Sequence, residues 1–361
     1  MTVLGTRPEI IRLCLVIEKL DRYCEHVLIH TGQNYDSRLN DVFFRELGLR
    51  APDEVLGVRG DSPGKIMAEV IAKCEDALMR HRPDRLLILG DTYSGLAAVV
   101  ARRMGIPVYH MEAGSRCFDF RVPEEINRRV IDSVSSVLMP YTERSRENLL
   151  REGFSAQQVY VTGNPIKEVL DRFAEPIDAS DVLRRMGLAK ERYMLLTLHR
   201  AENVDDATRL TAIFSGVDQA AQQFAMQVVC SVHPRTRQRL QEAGTQLHAK
   251  RFLLSEPFGF FDFVHLEKNA FCVLSDSGTV QEEACIFGVP NVTLRDVTER
   301  PETVECGSNA LSGADVDKLL TLIRLATEQP AQWNVTPEYL VPNASDTVAR
   351  IVLGHRAGTG C

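Results

Sequence analysis

The sequence has no excess of basic residues, no closely paired cysteines and no long apolar run. Its 42 Lys and Arg residues stand against 49 Asp and Glu, for a net charge of -7, so the composition gives no basic footprint for nucleic acid. The nine cysteines include no C-x-x-C pair, which argues against a zinc site and against a disulfide framework. No apolar stretch approaches the roughly 20 residues that span a bilayer.

These absences favour a protein of the reducing cytoplasm with free thiols. The N-terminal M-T-V-L-G-T-R-P-E leads directly into a strand and a turn, so we expect no signal peptide. A length of 361 residues, with 44% hydrophobic and 25% charged residues, is typical of a globular chain of two domains. An anionic ligand would need a local basic pocket within this acidic protein.

Short apolar segments alternate with amphipathic ones along the whole chain, which predicts parallel sheets of the doubly wound α/β class. A polar stretch at 174–180 marks the expected domain junction, after which the alternation restarts. Two such domains facing each other would form a ligand-binding cleft. The predicted strands are 2–4, 26–30, 85–89, 107–111, 137–139 and 159–161, then 193–198, 227–232, 251–254, 271–274 and 291–294.

The stretch from His110 to Arg129 places acidic and basic side chains together directly after a predicted strand. Loops after strands lie at the sheet edge where ligands bind, and carboxylates beside arginines suit proton transfer on an anionic substrate. A surface ion-pair network is the alternative interpretation, although the flanking apolar segments favour function. The charged residues are Glu112, Arg116, Asp119, Arg121, Glu124, Glu125, Arg128 and Arg129.

Two more motifs in the first half end a strand and begin a helix. G-T-R-P-E at 5–9 combines a capping threonine, a first-turn proline and Arg7, which suits anion binding at a helix N-terminus. Asp91 of G-D-T follows strand 85–89, at the same predicted sheet edge as Glu112. A plain helix cap with a solvated arginine explains the first motif equally well, and an N-cap is the alternative role for Asp91.

The second half carries similar motifs. Ser277 and Gly278 open a helix whose N–H groups could hold a diphosphate, and Glu283 could take the hydroxyls of a ribose. His199 and His233 each end a strand, which suits phosphate binding or acid–base work. The alternatives are a helix cap with surface glutamates and structural histidines. Arg295 and Arg300 either supply further positive charge or pair with Asp296, Glu299 and Glu302.

Seven motifs occur in a specific order along nearly the whole chain, although each is weak alone. Together they resemble the non-hydrolysing UDP-N-acetylglucosamine 2-epimerase family. In chain order the motifs are G-T-R-P-E, G-D-T, H-M-E-A-G, P-E-E-I-N-R-R, H-R-A-E-N, S-D-S-G-T-V-Q-E-E and T-E-R-P-E.

The resemblance implies an isomerase with two Rossmann-like domains in the arrangement of the GT-B glycosyltransferases. We therefore predict an N-terminal domain at 1–170, a UDP-binding domain at 171–344, and a helix at 345–361 that crosses back to the first domain. It also implies a UDP-sugar substrate, a homodimer, and no metal or other cofactor. We expect no nucleic-acid or membrane partner.

Matched motif by motif, the resemblance assigns acid–base roles to Asp91, Glu112 and Glu124, with Arg128 beside them. His199 would reach the diphosphate or the sugar. The remaining substrate or UDP contacts would come from Arg7, Arg12, Ser277, Gly278, Glu283 and Arg300.

Some segments depart from the glucosamine-type enzymes. G-D-T continues as Y-S, the loop after E-A-G reads S-R-C-F-D-F-R-V, and Gln33-Asn34 replaces a Gln-His pair of the family's allosteric site. These variants, with H-P-R-T and P-F-G-F-F-D, resemble the subgroup that makes UDP-N-acetyl-L-fucosamine. The sugar is therefore open between UDP-2-acetamido-2,6-dideoxy-L-talose and UDP-GlcNAc, and regulation by UDP-GlcNAc is not assumed.

The family's chemistry is removal of the C2 proton as the C1–O bond to UDP breaks, followed by return of a proton to the opposite face and re-addition of UDP. Carboxylates on both sides of the sugar would serve this scheme. A hydrolysing epimerase, a GT-B glycosyltransferase and a nucleotide-sugar sensor are the alternatives. The three acids at the first-domain edge favour the epimerase.

Overall fold

A computed structural model describes residues 1–33, 37–232, 234–242, 251–328 and 332–355 of the chain. Two compact units divide these residues. The first contains Met1–Asp171 together with the described residues from Pro337 onward, and the second contains Arg172–Thr336. None of the described helices is long and apolar enough to cross a membrane.

The first unit is built on a parallel six-stranded sheet with the order β3-β2-β1-β4-β5-β6. This is the strand order of a Rossmann sheet, with helices in the crossovers. The strands are β1 (Thr2–Leu4), β2 (Leu28–His30), β3 (Glu54–Val55), β4 (Leu86–Leu89), β5 (Val108–Met111) and β6 (Val137–Met139). The helices are α1 (Arg7–Tyr23), α2 (Ser37–Glu46), α3 (Pro63–His81), α4 (Ala97–Arg103), α5 (Pro123–Val134), α6 (Glu143–Arg151) and α7 (Ile166–Arg172).

The second unit repeats this plan with the strand order β12-β11-β10-β7-β8-β9. Its strands are β7 (Tyr193–Leu198), β8 (Gln227–Val232), β9 (Phe252–Ser255), β10 (Cys272–Ser275), β11 (Asn291–Thr293) and β12 (Asn309–Leu311). Its helices are α8 (Ala174–Asp178), α9 (Val182–Met186), α10 (Ala201–Val204), α11 (Ala207–Gln223), α12 (Pro234–Glu242), α13 (Phe260–Lys268), α14 (Gly278–Phe287), α15 (Pro301–Glu305) and α16 (Val316–Glu328). Single-turn 3₁₀ segments lie at Tyr93–Leu96, Ala156–Gln158 and Pro337–Tyr339.

The last described helix, α17 (Ala344–Gly354), belongs to the first unit and packs on α1. Val348 and Val352 turn inward and are buried. Lys19 of α1 pairs with Asp346 at 2.7 Å, and the Ser345 N–H donates to the Glu168 carboxylate at 2.9 Å. Apolar burial and flanking polar contacts together fix this helix on the first unit.

Two Rossmann-like α/β units confirm the predicted fold class, and most predicted strands are present. Every residue of Tyr193–Leu198 is buried, as expected for a central parallel strand with helices on both faces. The predicted strand at 159–161 is wrong, because only Val159 forms an isolated bridge, to Leu138. Most of the expected polar junction at 174–180 is helix α8.

The turn between β1 and α1 is held by the buried carboxylate of Glu9. Its Oε2 accepts from the N–H of Gly5 (3.0 Å) and from the N–H and hydroxyl of Thr6 (2.8 Å each), which satisfies donors at the helix start. Its Oε1 accepts from the hydroxyl of Thr92 at 3.0 Å, so G-T-R-P-E and G-D-T share one anchor. A Cβ on Gly5 would lie 2.1 Å from Thr31 Oγ1, so only glycine fits this turn.

Replacing Glu9 with Gln should flatten the pH dependence of stability. Burial raises the pKa of Glu9 to about 7, against the opposing hydrogen bonds of Thr6, Gly5 and Thr92. This pKa exceeds the unfolded value of about 4.3, so the native state keeps the proton to a higher pH than the unfolded state does. The stability that the protonated group contributes is therefore lost as pH rises from about 4 to about 7. The shift corresponds to roughly 3 kcal/mol.

Urea denaturation at a series of pH values measures this effect. Glu9→Gln should lose less stability than the wild type across that range, while Glu18→Gln, an exposed site on the same helix, should follow the wild type. Equal pH slopes for Glu9→Gln and the wild type would contradict the assignment.

Candidate active site

Asp91 and Glu112 follow neighbouring strands of the first sheet. β4 and β5 pair in parallel with Leu89 opposite Met111, so both acids lie just beyond the carboxyl ends of adjacent strands. This is the edge at which open α/β sheets bind ligands. The sequence-based expectation that the two acids share one sheet edge is confirmed.

Glu112 is held in an uncommon backbone conformation. Its φ is 64°, in the left-handed region that non-glycine residues rarely adopt. Its N–H donates to the Met139 carbonyl at 3.1 Å, and its carboxylate pairs with Arg12 at 2.5 Å. Arg12 is itself buried and lies with its guanidinium 5.6 Å from the centre of the Tyr141 ring. The surrounding contacts therefore fix both the backbone and the carboxylate of Glu112.

Asp91 is paired with Arg128 of α5. The Arg128 Nε lies 3.2 Å from Asp91 Oδ2, and a second guanidinium nitrogen contacts the same oxygen. Arg128 also donates to the buried Glu125 at 2.7 Å, and the side-chain amide of Asn127 donates to the Asp91 carbonyl at 3.0 Å. The P-E-E-I-N-R-R helix thus positions the acid of G-D-T.

Glu124 and Arg7 lie at the starts of two helices. Glu124 occupies the first turn of α5 and is half-buried. Burial and the charge of Glu124 raise the pKa of Tyr93, which places Glu124 close to the segment that follows Asp91. Arg7 is the first residue of α1, where burial lowers its pKa and its guanidinium lies 5.9 Å from the centre of the Phe43 ring.

A buried ion network holds the loop between Glu112 and Glu124. His110 Nδ1 contacts Asp132 Oδ1 at 2.8 Å, and its Nε2 contacts the Gly90 carbonyl at 2.9 Å. Arg116 donates to Asp132 Oδ2 at 2.7 Å. Burial opposes ionisation of Asp132, yet the hydrogen bonds and charges of His110 and Arg116 lower its pKa. The alternative interpretation, a surface ion pair, applies to Asp119 and Arg121, since the Arg121 side chain is 80% exposed.

In the second unit, His199 follows β7 and pairs with Asp276, which follows β10. The His199 Nδ1 lies 2.9 Å from Asp276 Oδ1, and half of the His199 side chain remains exposed. Burial opposes ionisation of Asp276, but the charge and hydrogen bond of His199 and the N–H of Arg200 lower its pKa to about 2. His199 is thereby oriented at a sheet edge with an ionised carboxylate behind it. His233 lies outside the described residues, as does Asn34.

Ser277 precedes α14, and Gly278 is its first residue. A Cβ on Gly278 would lie 2.6 Å from Glu299 Oε1, so a larger residue here would have to displace the Glu299 carboxylate. Glu283 lies further along α14 and is 4% exposed. The Ser277 N–H donates to Ser275 Oγ at 3.0 Å, and α14 begins at Gly278, so the first turn of this helix is the position at which a helix start binds an anion.

The arginines of the second unit are compensated by acids. Arg295 pairs with Glu299 at 2.8 Å, as the ion-pair interpretation expects. Arg300 pairs instead with Glu282 of α14 and is 5% exposed. These contacts connect the T-E-R-P-E segment to the helix that begins at Gly278.

Sequence reasoning missed four buried acids that organise these motifs: Glu9, Asp132, Glu267 and Asp276. Asp276 follows a strand within S-D-S-G-T, a position that could have identified it. Asp132 and Glu267 lie inside helices, where an acid usually marks a solvated face. Their burial depends on tertiary contacts that no local pattern indicates.

Comparison with known proteins identifies the family. A sequence model described as UDP-N-acetylglucosamine 2-epimerase matches residues 18–353. The UDP-N-acetylglucosamine 2-epimerase of Methanocaldococcus jannaschii is 40% identical over 339 residues, which cover 92% of this chain and 93% of that protein. Its solved structure in complex with UDP-GlcNAc and UDP matches with a TM-score of 0.92 at 38% identity, over 97% of this chain and 98% of that one.

Two further likenesses bear on substrate and fold. The UDP-2,3-diacetamido-2,3-dideoxy-D-glucuronate 2-epimerase of Pseudomonas aeruginosa is 36% identical over 92% of this chain and 93% of its own. The glycosyltransferase WaaG matches with a TM-score of 0.60 at 11% identity, over 98% of this chain and 100% of that one, which shows the shared GT-B-like fold alone. The chain belongs to the UDP-N-acetylglucosamine 2-epimerase family and is an isomerase.

Proposed function

We propose that the chain is a non-hydrolysing UDP-N-acetylhexosamine 2-epimerase that inverts C2 by elimination and re-addition of UDP. The observation that supports this best is the pairing of two strand-end carboxylates with buried cations: Glu112 with Arg12, and Asp91 with Arg128. A protein that only bound a nucleotide sugar would not need acids in fixed positions at this edge. The product would serve as a precursor of cell-surface polysaccharide, and the working form would be a homodimer.

The proposed reaction has two half-steps. In the first, a carboxylate removes the C2 proton while the C1–O bond breaks, and the bonding pair leaves with UDP to give a glycal. In the second, a proton reaches the opposite face of C2 and the UDP oxygen adds back to C1. Asp91, Glu112 and Glu124 supply the groups that accept and donate the proton. Protein cations and helix dipoles stabilise the charge on departing UDP, and the scheme needs no metal or other cofactor.

The second unit would bind UDP. The helix start at Ser277 and Gly278 suits the diphosphate, and Glu283 suits the ribose hydroxyls. His199, held by Asp276, is a donor for the diphosphate or the sugar. The remaining proposed contacts come from two residues of the first unit, Arg7 and Arg12, and two of the second, His233 and Arg300. The charge of Arg300 is already balanced by Glu282. Arg300 would therefore contribute directed hydrogen bonds to the ligand rather than an excess of positive charge.

Two sugars are proposed as alternatives. One is UDP-2-acetamido-2,6-dideoxy-L-talose, converted to UDP-N-acetyl-L-fucosamine, and the other is UDP-GlcNAc, converted to UDP-ManNAc. Relatives named for UDP-GlcNAc and for a diacetamido-glucuronate support the UDP-2-acetamido-sugar class without selecting one member.

Incubation of each UDP-sugar with the protein in heavy water tests the function. A non-hydrolysing epimerase places deuterium at C2 of a UDP-linked product. Stoichiometric release of UDP with free sugar would instead indicate a hydrolysing enzyme. Turnover without deuterium at C2 would favour a glycosyltransferase, and the sugar that turns over faster identifies the substrate.

Converting each of the three carboxylates to its amide should slow epimerisation. Asp91→Asn, Glu112→Gln and Glu124→Gln each remove one group able to transfer a proton, which typically costs roughly 10²–10⁴-fold in rate. Steady-state kcat from a coupled or chromatographic assay measures the loss. Asp61→Asn, whose side chain is 75% exposed in the pair with Lys65, is the matched control and should keep full activity. Full activity in all three variants would exclude the scheme.

Glu283→Gln should weaken UDP binding. Hydrogen bonds to a charged acceptor contribute about 1.5–3 kcal/mol, so losing the carboxylate should raise the Kd by roughly ten- to a hundredfold. Isothermal titration calorimetry with UDP measures this. Glu328→Gln, an exposed site on α16, provides the control. An unchanged Kd in Glu283→Gln would remove Glu283 from the binding site.

A further inference from the structure

Glu267 is a fully buried acid in the last turn of α13. Its side chain is 0% exposed, and in the part of the chain that the structure describes neither carboxyl oxygen meets an N–H or hydroxyl donor. A buried carboxylate with no donor is strongly unfavourable, so the group must find another partner or remain neutral.

That partner is the carboxyl group of Glu283 on α14. Glu267 lies within hydrogen-bonding reach of Glu283, and burial followed by the charge and hydrogen bond of Glu283 raises the pKa of Glu267 well above its usual range. Like charges repel in a medium that screens poorly, so two adjacent buried carboxyl groups do not both ionise near neutral pH. One proton between them removes the repulsion and forms a hydrogen bond.

Several ionisable groups on the elements around this pair have other partners among the described residues. The contacts are Lys268 with Asp178 of α8, Arg185 of α9 with Asp262, His265 with the Ile177 carbonyl, Tyr193 of β7 with the Leu266 carbonyl, His199 with Asp276 after β10, Arg300 with Glu282, and Cys285 with Cys306 after α15. Burial and, after it, the charge of Glu283 raise the pKa of Glu267.

We propose that Glu267 is a positioning residue that donates a shared proton to Glu283 and thereby holds it as the acceptor for the ribose hydroxyls of UDP. This inference rests on the proposed role of Glu283. One oxygen of Glu283 receives the proton of Glu267, which fixes the carboxyl plane. The other oxygen accepts the cis-diol of the ribose, and the pair carries a single negative charge.

The arrangement makes UDP affinity depend on the shared proton. When the proton leaves at alkaline pH, the pair carries two negative charges, Glu283 loses its donor, and the site faces an anionic ligand with more repulsion. Affinity for UDP therefore falls as pH rises through the ionisation of the pair. Proton loss on this scale changes a binding constant by up to about tenfold per pH unit.

Titration calorimetry with UDP from about pH 6 to about pH 9 tests the proposal on the full chain. In Glu267→Gln the amide donates to Glu283 without titrating, so the alkaline fall in affinity expected for the wild type should disappear. In Glu267→Met the side chain offers no donor to Glu283, and the Kd at neutral pH should rise roughly tenfold. Glu328→Gln should retain the wild-type pH profile.

A second readout separates positioning from mere packing. The infrared carbonyl band of protonated carboxylic acids, to which Glu9 also contributes near neutral pH, should be weaker in Glu267→Gln than in the wild type. Because the pKa of Glu267 is raised in the fold, its protonated form favours the native state, and this contribution is lost as pH rises above the unfolded value of about 4.3. Glu267→Gln should therefore be less sensitive than the wild type to alkaline unfolding.

Parallel pH profiles of UDP affinity for Glu267→Gln and the wild type would overturn the proposal, as would unchanged affinity in Glu267→Met. If Glu267→Met does not fold, the pH profile of UDP affinity for Glu267→Gln is sufficient to test the proposal. The role of Glu283 fails separately, through unchanged UDP binding in Glu283→Gln. Weakened binding in Glu283→Gln together with an unaltered profile in Glu267→Gln would reject only the positioning role.

Discussion

The carboxylate of Asp132 is the contact on which the candidate site depends. It is fully buried, and it receives the ring of His110 from β5, the guanidinium of Arg116 and the N–H of Gly114 from the loop. One side chain of α5 thereby sets the course of the backbone between Glu112 and Glu124. Breaking one of these contacts would leave an uncompensated charge in the interior, which costs far more than losing a surface pair.

Compensated charge is the common theme of both units. Arg12, Arg128 and Arg300 are all buried, and each is paired with a carboxylate of its own unit. Such pairs contribute little net stability, since desolvation offsets much of their attraction. The ion pairs instead fix the orientation of each carboxylate and guanidinium before any ligand binds. A site prepared in this way does not reorganise during reaction, which is where electrostatic catalysis gains its effect.

The sequence predicts the fold class and the location of the motifs better than it predicts the contacts. Alternating apolar and amphipathic segments suffice to identify the parallel sheets, because buried parallel strands are continuous apolar runs. β3 and β12 escape prediction because neither is a buried apolar run: no residue of β3 and only the first residue of β12 is buried. The segment 159–161 has a strand-like composition but forms only a bridge, because its pairing is decided by tertiary position.

The candidate residues divide along the same line. Asp91 and Glu112 can be located from sequence, since each directly follows a buried strand. The partner of an arginine cannot be located from sequence. Arg300 pairs with Glu282, 18 positions earlier in the chain, rather than with an acid of its own segment. Glu267 and Asp132 look like surface acids on helices and prove to be buried. Only the packing of one element on another reveals them.

The return of α17 to the first unit has a consequence for synthesis on the ribosome. The surface of α1 that α17 covers is made before the second unit, and α17 is made after it. Until then the nascent first unit exposes that apolar surface, the kind of transient exposure that favours aggregation or chaperone binding. The first unit can therefore complete its fold only after the second unit has been synthesised.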